Sequence, residues 1–143
     1  MISKWMIQSA RIIGVLILVG STLCLAQEAT GEDEPQALAL GRAVMCESIA
    51  GYEPANIAVV FSINIGKISC YTAFENIPST TYTIHRWYRR DELVTTYRLT
   101  LKPPRWATYS SIQLREADKG PWRVEILDEQ ENLMRILRFS VTD

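Results

Sequence analysis

From Arg42 onward, apolar and polar residues alternate in short runs, and the runs are separated by Gly, Pro, Asn and charged clusters. A period of two places successive side chains on opposite faces of a strand. The pattern therefore predicts strands over Arg42 to Ile49, Ala58 to Ile65, Lys67 to Phe74, Thr81 to Arg89, Leu93 to Leu101, Arg105 to Leu114, Pro121 to Leu127 and Leu133 to Val141. The breaks between them carry turn chemistry: Gly51 to Pro54, Gly66, the segment with Pro78, the polar Arg90-Asp91-Glu92, Pro103-Pro104, Glu116 to Gly120, and Asp128 to Asn132.

The same alternation assigns faces. Leu93, Thr95, Tyr97, Leu99 and Leu101 form one side of their strand, and Trp106, Thr108, Ser110, Ile112 and Leu114 line the next. Trp122, Val124 and Ile126 face one way, as do Leu133, Leu137, Phe139 and Val141, with Arg135 interrupting. These sets are the expected core. The best helical candidate is Pro35 to Met45, rich in Ala, Leu and Gln but interrupted by Gly41, and it allows at most a short turn before the first strand. About seven short strands with turns between them predict an all-β fold, an immunoglobulin-like antiparallel β-sandwich.

The N-terminus has a different pattern. Lys4 and Arg11 precede an uncharged run, Ile12 to Ala26, and Cys24-Leu25-Ala26 before Gln27 approximates a small-x-small cleavage motif. As a helix this run would measure roughly 22 Å at ~1.5 Å per residue, short of a ~30 Å hydrocarbon core. Residues 1–26 are therefore read as a cleaved signal peptide (the signal helix of the fold assignment), against an uncleaved anchor that begins near Trp5. A lipidated Cys24 is disfavoured because Leu23, not a small residue, precedes it. Residues 27–41 begin with the acidic stretch QEATGEDEP and read as a flexible leader; 42–143 form the domain. The expected location is exported: periplasmic in a Gram-negative bacterium, or else secreted or membrane-anchored. Any membrane contact is expected only through an uncleaved signal.

Composition narrows the function classes. The formal net charge is −1, and loss of Lys4 and Arg11 leaves the mature part near −3, which gives no basic stripe for nucleic acid. Removal of Cys24 leaves Cys46 and Cys70, an even count that predicts a disulfide in an exported domain. Val44 and Cys46 share one face and Ile68, Cys70 and Phe74 another, and both cysteines are expected to point inward. Neither has a CxxC partner or a neighbouring His, which argues against zinc binding and redox catalysis.

Several elements together resemble a known family: Arg42-Ala43 leading to Cys46, Glu53-Pro54, Cys70-Tyr71-Thr72, His85-Arg86-Trp87-Tyr88, Arg105 to Ser110, Gly120-Pro121-Trp122-Arg123-Val124, and Phe139-Ser140-Val141. Their order and spacing, over Arg42 to Val141, are similar to the bacterial domain of unknown function DUF2914. The resemblance implies a small extracytoplasmic domain with no established activity and no known catalytic residues. It also implies a Gly in the last hairpin turn. Here that turn reads Asp128-Glu129-Gln130-Glu131-Asn132, and Asn132 is expected to take the positive φ.

The residues that could carry chemistry are few. His85 is the only histidine; it shares a face with Trp87 and is expected to be half-buried with one hydrogen bond, or else a ligand contact. A Ser110–His85–acid triad can be drawn but has no motif behind it. Glu125 and Asp128 read as solubility and turn residues rather than a glycosidase pair. Of Trp87, Trp106 and Trp122, at least two are expected in the core, and Trp106, after Arg105 and a Pro-Pro loop, is the one expected at the surface. No cofactor, metal or enzymatic activity is expected. The expected function is a non-catalytic envelope module that binds a protein partner, with a carbohydrate- or peptidoglycan-binding module as the alternative. His85, Trp87, Tyr88, Arg105, Trp106 and Tyr109 are the candidate contacts.

Overall fold

The computed structural model describes residues 37–143; the expected signal and most of the expected leader lie outside them. Among the described residues, nine strands form two facing sheets: β1 (Ala39–Ala50), β2 (Glu53–Ile57), β3 (Val60–Ser62), β4 (Lys67–Glu75), β5 (Thr81–Arg89), β6 (Glu92–Leu101), β7 (Trp106–Gln113), β8 (Gly120–Leu127) and β9 (Leu133–Thr142). The first sheet has the order β2-β1-β4-β7 and the second β3-β9-β8-β5-β6. The chain crosses between sheets at β2→β3, β3→β4, β4→β5, β6→β7 and β7→β8, the Greek-key connectivity of an immunoglobulin-like sandwich.

The alternating segments become strands because each can bury one apolar face. Ile68, Cys70 and Phe74 of β4 meet Trp122, Val124 and Ile126 of β8 and Phe139 and Val141 of β9 in one core. Phe139 organises its centre: its ring stacks on Trp122 at 6.0 Å and meets Phe61 and Trp87 edge-on at 6.0 and 6.1 Å. Offset and edge-on pairs satisfy the ring quadrupoles while filling volume.

Four details differ from the sequence reading. Residues 39–45 of the helical candidate are strand, because β1 pairs with β4 from Ala39↔Glu75 onward and pairing outweighs the helix propensity of Ala and Leu. Glu53–Ile57, which Pro54 and Asn56 disguise, is a strand at the sheet edge, where Pro removes no needed hydrogen bond. Only Val60–Ser62 of the expected Ala58–Ile65 strand is extended. Ala58 and Val59 lie before it outside any strand, and Ile63–Ile65 form a 3₁₀ turn capped by Ser62 Oγ accepting from the Asn64 N–H at 3.2 Å. That short strand runs parallel to β9, so the sandwich is not purely antiparallel.

The expected disulfide is also corrected. Met45, not Cys46, stands opposite Cys70, and Met45 and Cys70 both enter the core. Cys46 is the next residue along β1 and faces the other side of the same sheet, level with Ser69, whose carbonyl accepts from its Sγ at 3.7 Å. Side chains on opposite faces of one sheet cannot be bridged without moving backbone. Both cysteines are free buried thiols, and burial pushes both thiol pKa values up.

Candidate functional site

The six candidate contacts separate into three places. His85 and Trp87 lie in the core and are corrected as contacts: neither has any exposed surface. They belong to a hydrogen-bonded chain that crosses the sandwich. Trp87 Nε1–H donates to Ser110 Oγ at 2.9 Å, Ser110 Oγ lies 2.8 Å from His85 Nδ1, and His85 Nε2 lies 3.3 Å from Thr72 Oγ1, which donates to the Thr108 carbonyl at 3.3 Å. One proton arrangement satisfies every group. Ser110 accepts from Trp87 and donates to Nδ1, and the Nε2–H donates to Thr72. Burial holds the imidazole pKa down at about 4, so the ring is neutral at neutral pH. The Ser110–His85 pair of the hypothetical triad thus exists as a contact, but both members are buried, and the second imidazole nitrogen meets Thr72 rather than a carboxylate.

Tyr88 points to the outer face of the second sheet, where the guanidinium of Arg123, directly opposite on β8, lies 4.0 Å from its ring centre.

Arg105, Trp106 and Tyr109 converge. With Tyr52, Tyr71, Ile49, Ala107 and Thr108 they line a groove of about 470 Å³ on the outer side of the first sheet. Strand register builds it: Tyr71 on β4 stands opposite Tyr109 on β7, and Ala73 stands opposite Ala107, so the ring pair adjoins a low floor of two methyl groups. Tyr52 arrives from the β1–β2 turn. Gly51 and Tyr52 both have positive φ, 57° and 67°, between the paired residues Ala50 and Glu53, as a two-residue turn of type I′ requires. Cations rim the aromatics: Lys102 Nζ lies 5.3 Å from the Trp106 ring centre, and the Arg42 guanidinium lies 5.9 Å from that of Tyr71 while pairing with Glu53 at 3.1 Å. Trp106 is 39% exposed, Tyr109 50% and Tyr52 90%, whereas Tyr71 is buried, and its burial pushes the phenol pKa up.

Sequence reasoning missed Tyr52, Ile49 and Lys102. Nothing in the local pattern marks them, because a turn residue and the far end of another strand reach the groove only through sheet pairing. Trp106 as the surface tryptophan is borne out, as is the expectation that at least two of the three tryptophans lie in the core; these are Trp122 and the corrected contact Trp87.

The groove runs beside an unpaired strand edge. β7 pairs only with β4 among the described strands. Tyr97 of β6 donates its hydroxyl to the Ser111 carbonyl at 2.8 Å from the side away from β4. By alternation, the main-chain N–H and C=O of Tyr109 and Ala107 also point away from β4.

No cluster of three or more His, Cys, Asp or Glu side chains that could hold a metal ion occurs among the described residues. No helix among them is long and apolar enough to cross a membrane.

An all-β two-sheet domain with its polar chain sealed inside and an aromatic groove outside is therefore the class to which this protein belongs. Residues 80–141, the stretch of β5 to β9, match the model of the family described as "Protein of unknown function (DUF2914)". No curated protein matches the chain. Among solved structures it is similar to a mutant β-glucosidase from Listeria innocua in complex with laminaribiose. That similarity has a TM-score of 0.40 and 9% identity, covering 75% of this chain and 16% of the other.

Proposed function

We propose that this protein is an exported, non-catalytic binding module that takes an extended segment of a protein partner on the outer face of its first sheet. The observation that carries the reading is the convergence of Arg105, Trp106 and Tyr109 with Tyr52 and Tyr71 in one groove beside the open edge of β7. Tyr, Trp and Arg are the residue types that dominate protein interfaces. An open edge supplies main-chain hydrogen bonds to an added strand, and a neighbouring groove sorts its side chains. The test is site-specific photocrosslinking in the native cell envelope from position 109, with position 131, in the turn between β8 and β9, as the control. A reproducible protein adduct from position 109 alone, lost on Trp106→Ala, is the expected result. Equal labelling from both positions would remove the reading.

The exposure of the Tyr52, Trp106 and Tyr109 rings favours a second reading, a carbohydrate- or peptidoglycan-binding module that uses these rings as a stacking platform. Retention of the protein on purified peptidoglycan, abolished by Tyr109→Ala, together with no protein adduct, would put this reading first.

A further inference from the structure

The outer face of the second sheet carries a separate feature. Arg90, Arg123 and Arg138 line one cleft of about 180 Å³, together with Tyr88, Asp91 and Pro121. Arg123 and Arg138 stand directly opposite each other in the β8–β9 register. Like charges at such a position repel and destabilise a sheet unless something compensates them. Asp91 and Glu125 both pair with Arg123, the latter at 3.0 Å. Neither Arg90 nor Arg138 forms an ion pair among the described residues.

The positions of these arginines are built rather than incidental. Arg90 is the first residue of a two-residue hairpin turn in which it and Asp91 have φ of 47° and 67°, a conformation that ordinary L side chains avoid. The turn is held by the Arg90 N–H donating to the Pro121 carbonyl at 3.1 Å. It lays the side chain across Gly120, where an added Cβ would lie 3.2 Å from Arg90 Nε. Arg123 is fixed over the Tyr88 ring. Three guanidiniums against the carboxylates of Asp91 and Glu125 leave the cleft net positive, and the N–H groups of Arg90 and Arg138, which are in no ion pair, suit the several oxygens of a phosphate monoester better than a single carboxylate.

We propose that the Arg90–Arg123–Arg138 cleft binds a phosphate monoester group. Guanidinium N–H groups of Arg90 and Arg138 donate to its oxygens, and Arg123, anchored by Asp91 and Glu125, closes the third side. The site does not depend on the groove of the first sheet.

The test is titration of the full-length protein with inorganic phosphate, followed by amide NMR at constant ionic strength against chloride. The expected result is saturable shifts confined to the turn at Arg90, Gly120 and the Arg123–Arg138 pair. Arg138→Gln and Arg90→Gly should each weaken binding by at least about tenfold, the effect of one lost charge-assisted hydrogen bond. Arg90→Gly also suits the positive φ, so loss of binding there cannot be ascribed to misfolding. Arg105→Gln should leave binding unchanged. Small shifts spread over all arginines, or unchanged affinity in both cleft variants, would overturn the proposal. The source of the phosphate is read in a second arm, with glycerol 3-phosphate against phosphatidylcholine vesicles with and without phosphatidic acid. Binding of the soluble compound alone identifies a small metabolite, and binding gained only with phosphatidic acid identifies a lipid surface.

Discussion

His85 shows how one side chain couples burial to pH. In the unfolded chain an imidazole takes up its proton near 6.5, whereas in the folded protein burial lowers that value to about 4. Between these values the unfolded chain binds more protons. The neutral ring's contribution is therefore complete above about 6.5 and is lost as pH falls towards 4, by about 3 kcal/mol in full. Denaturant unfolding above 6.5 and near 4 should show that loss, and His85→Gln should flatten the difference relative to the native protein. An equal pH dependence in the two would show that the ring does not titrate across this window. Trp122 tests packing at the same scale. It stacks on Phe139 and donates from Nε1 to the Asp118 carbonyl at 2.7 Å, so Trp122→Ala should cost about 3–5 kcal/mol. Trp106→Ala, at a partly exposed strand end, should cost less than about 1 kcal/mol. Both roles follow from alternation together with neighbours. The sequence placed His85 beside Trp87, but only the facing sheet brings Thr72 and Ser110 to the two imidazole nitrogens.

At the scale of elements, turns show where local pattern suffices and where it does not. The loop after β8 was legible as a turn, and Asp128 organises it. Its carboxylate accepts from the Gln130 N–H at 2.9 Å and from the Asn132 N–H at 2.8 Å, and its own N–H donates to the Asn132 carbonyl at 3.0 Å. The positive φ, however, falls on Glu131 at 65° rather than on Asn132, because the two hydrogen bonds to Asp128 hold Asn132 in place. Glu131→Gly should therefore raise stability by about 1 kcal/mol, since the exposed ion pair it forfeits with Arg86 contributes little. Thermal unfolding of the variant checks this, and a lower midpoint would show that the pair outweighs the backbone relief. β7 supplies the matching test of an edge. Ala107→Pro removes only an outward-pointing N–H, so the fold should survive with a nearly unchanged midpoint while protein crosslinking from position 109 disappears. Survival of the adduct would exclude strand addition there.

At the scale of the whole molecule, stability rests on the two-sheet core rather than on a covalent staple. Cys46 and Cys70 leave opposite faces of the first sheet, so the unfolding midpoint should be the same with and without a reductant. A midpoint that falls on reduction would reinstate a bridge. The sequence favoured a bridge because an even cysteine count in an exported domain usually means one. That count contains no register, and a shift of one residue along a strand reverses the face.

Period-two alternation with Gly, Pro and Asx breaks determined, without any tertiary knowledge, the all-β class, the limits of most strands and the inward set Trp122, Val124, Ile126, Phe139 and Val141, because burial of one strand face is a local property of the chain. The motif order likewise pointed to the family whose model matches residues 80–141. Which strands adjoin was decided only by the tertiary structure, and with it the separation of Cys46 from Cys70, the joining of Tyr52 to Tyr109 in one groove and the opposition of Arg123 to Arg138. Those pairings join residues far apart in the chain, and their energy comes from contacts that no local pattern contains.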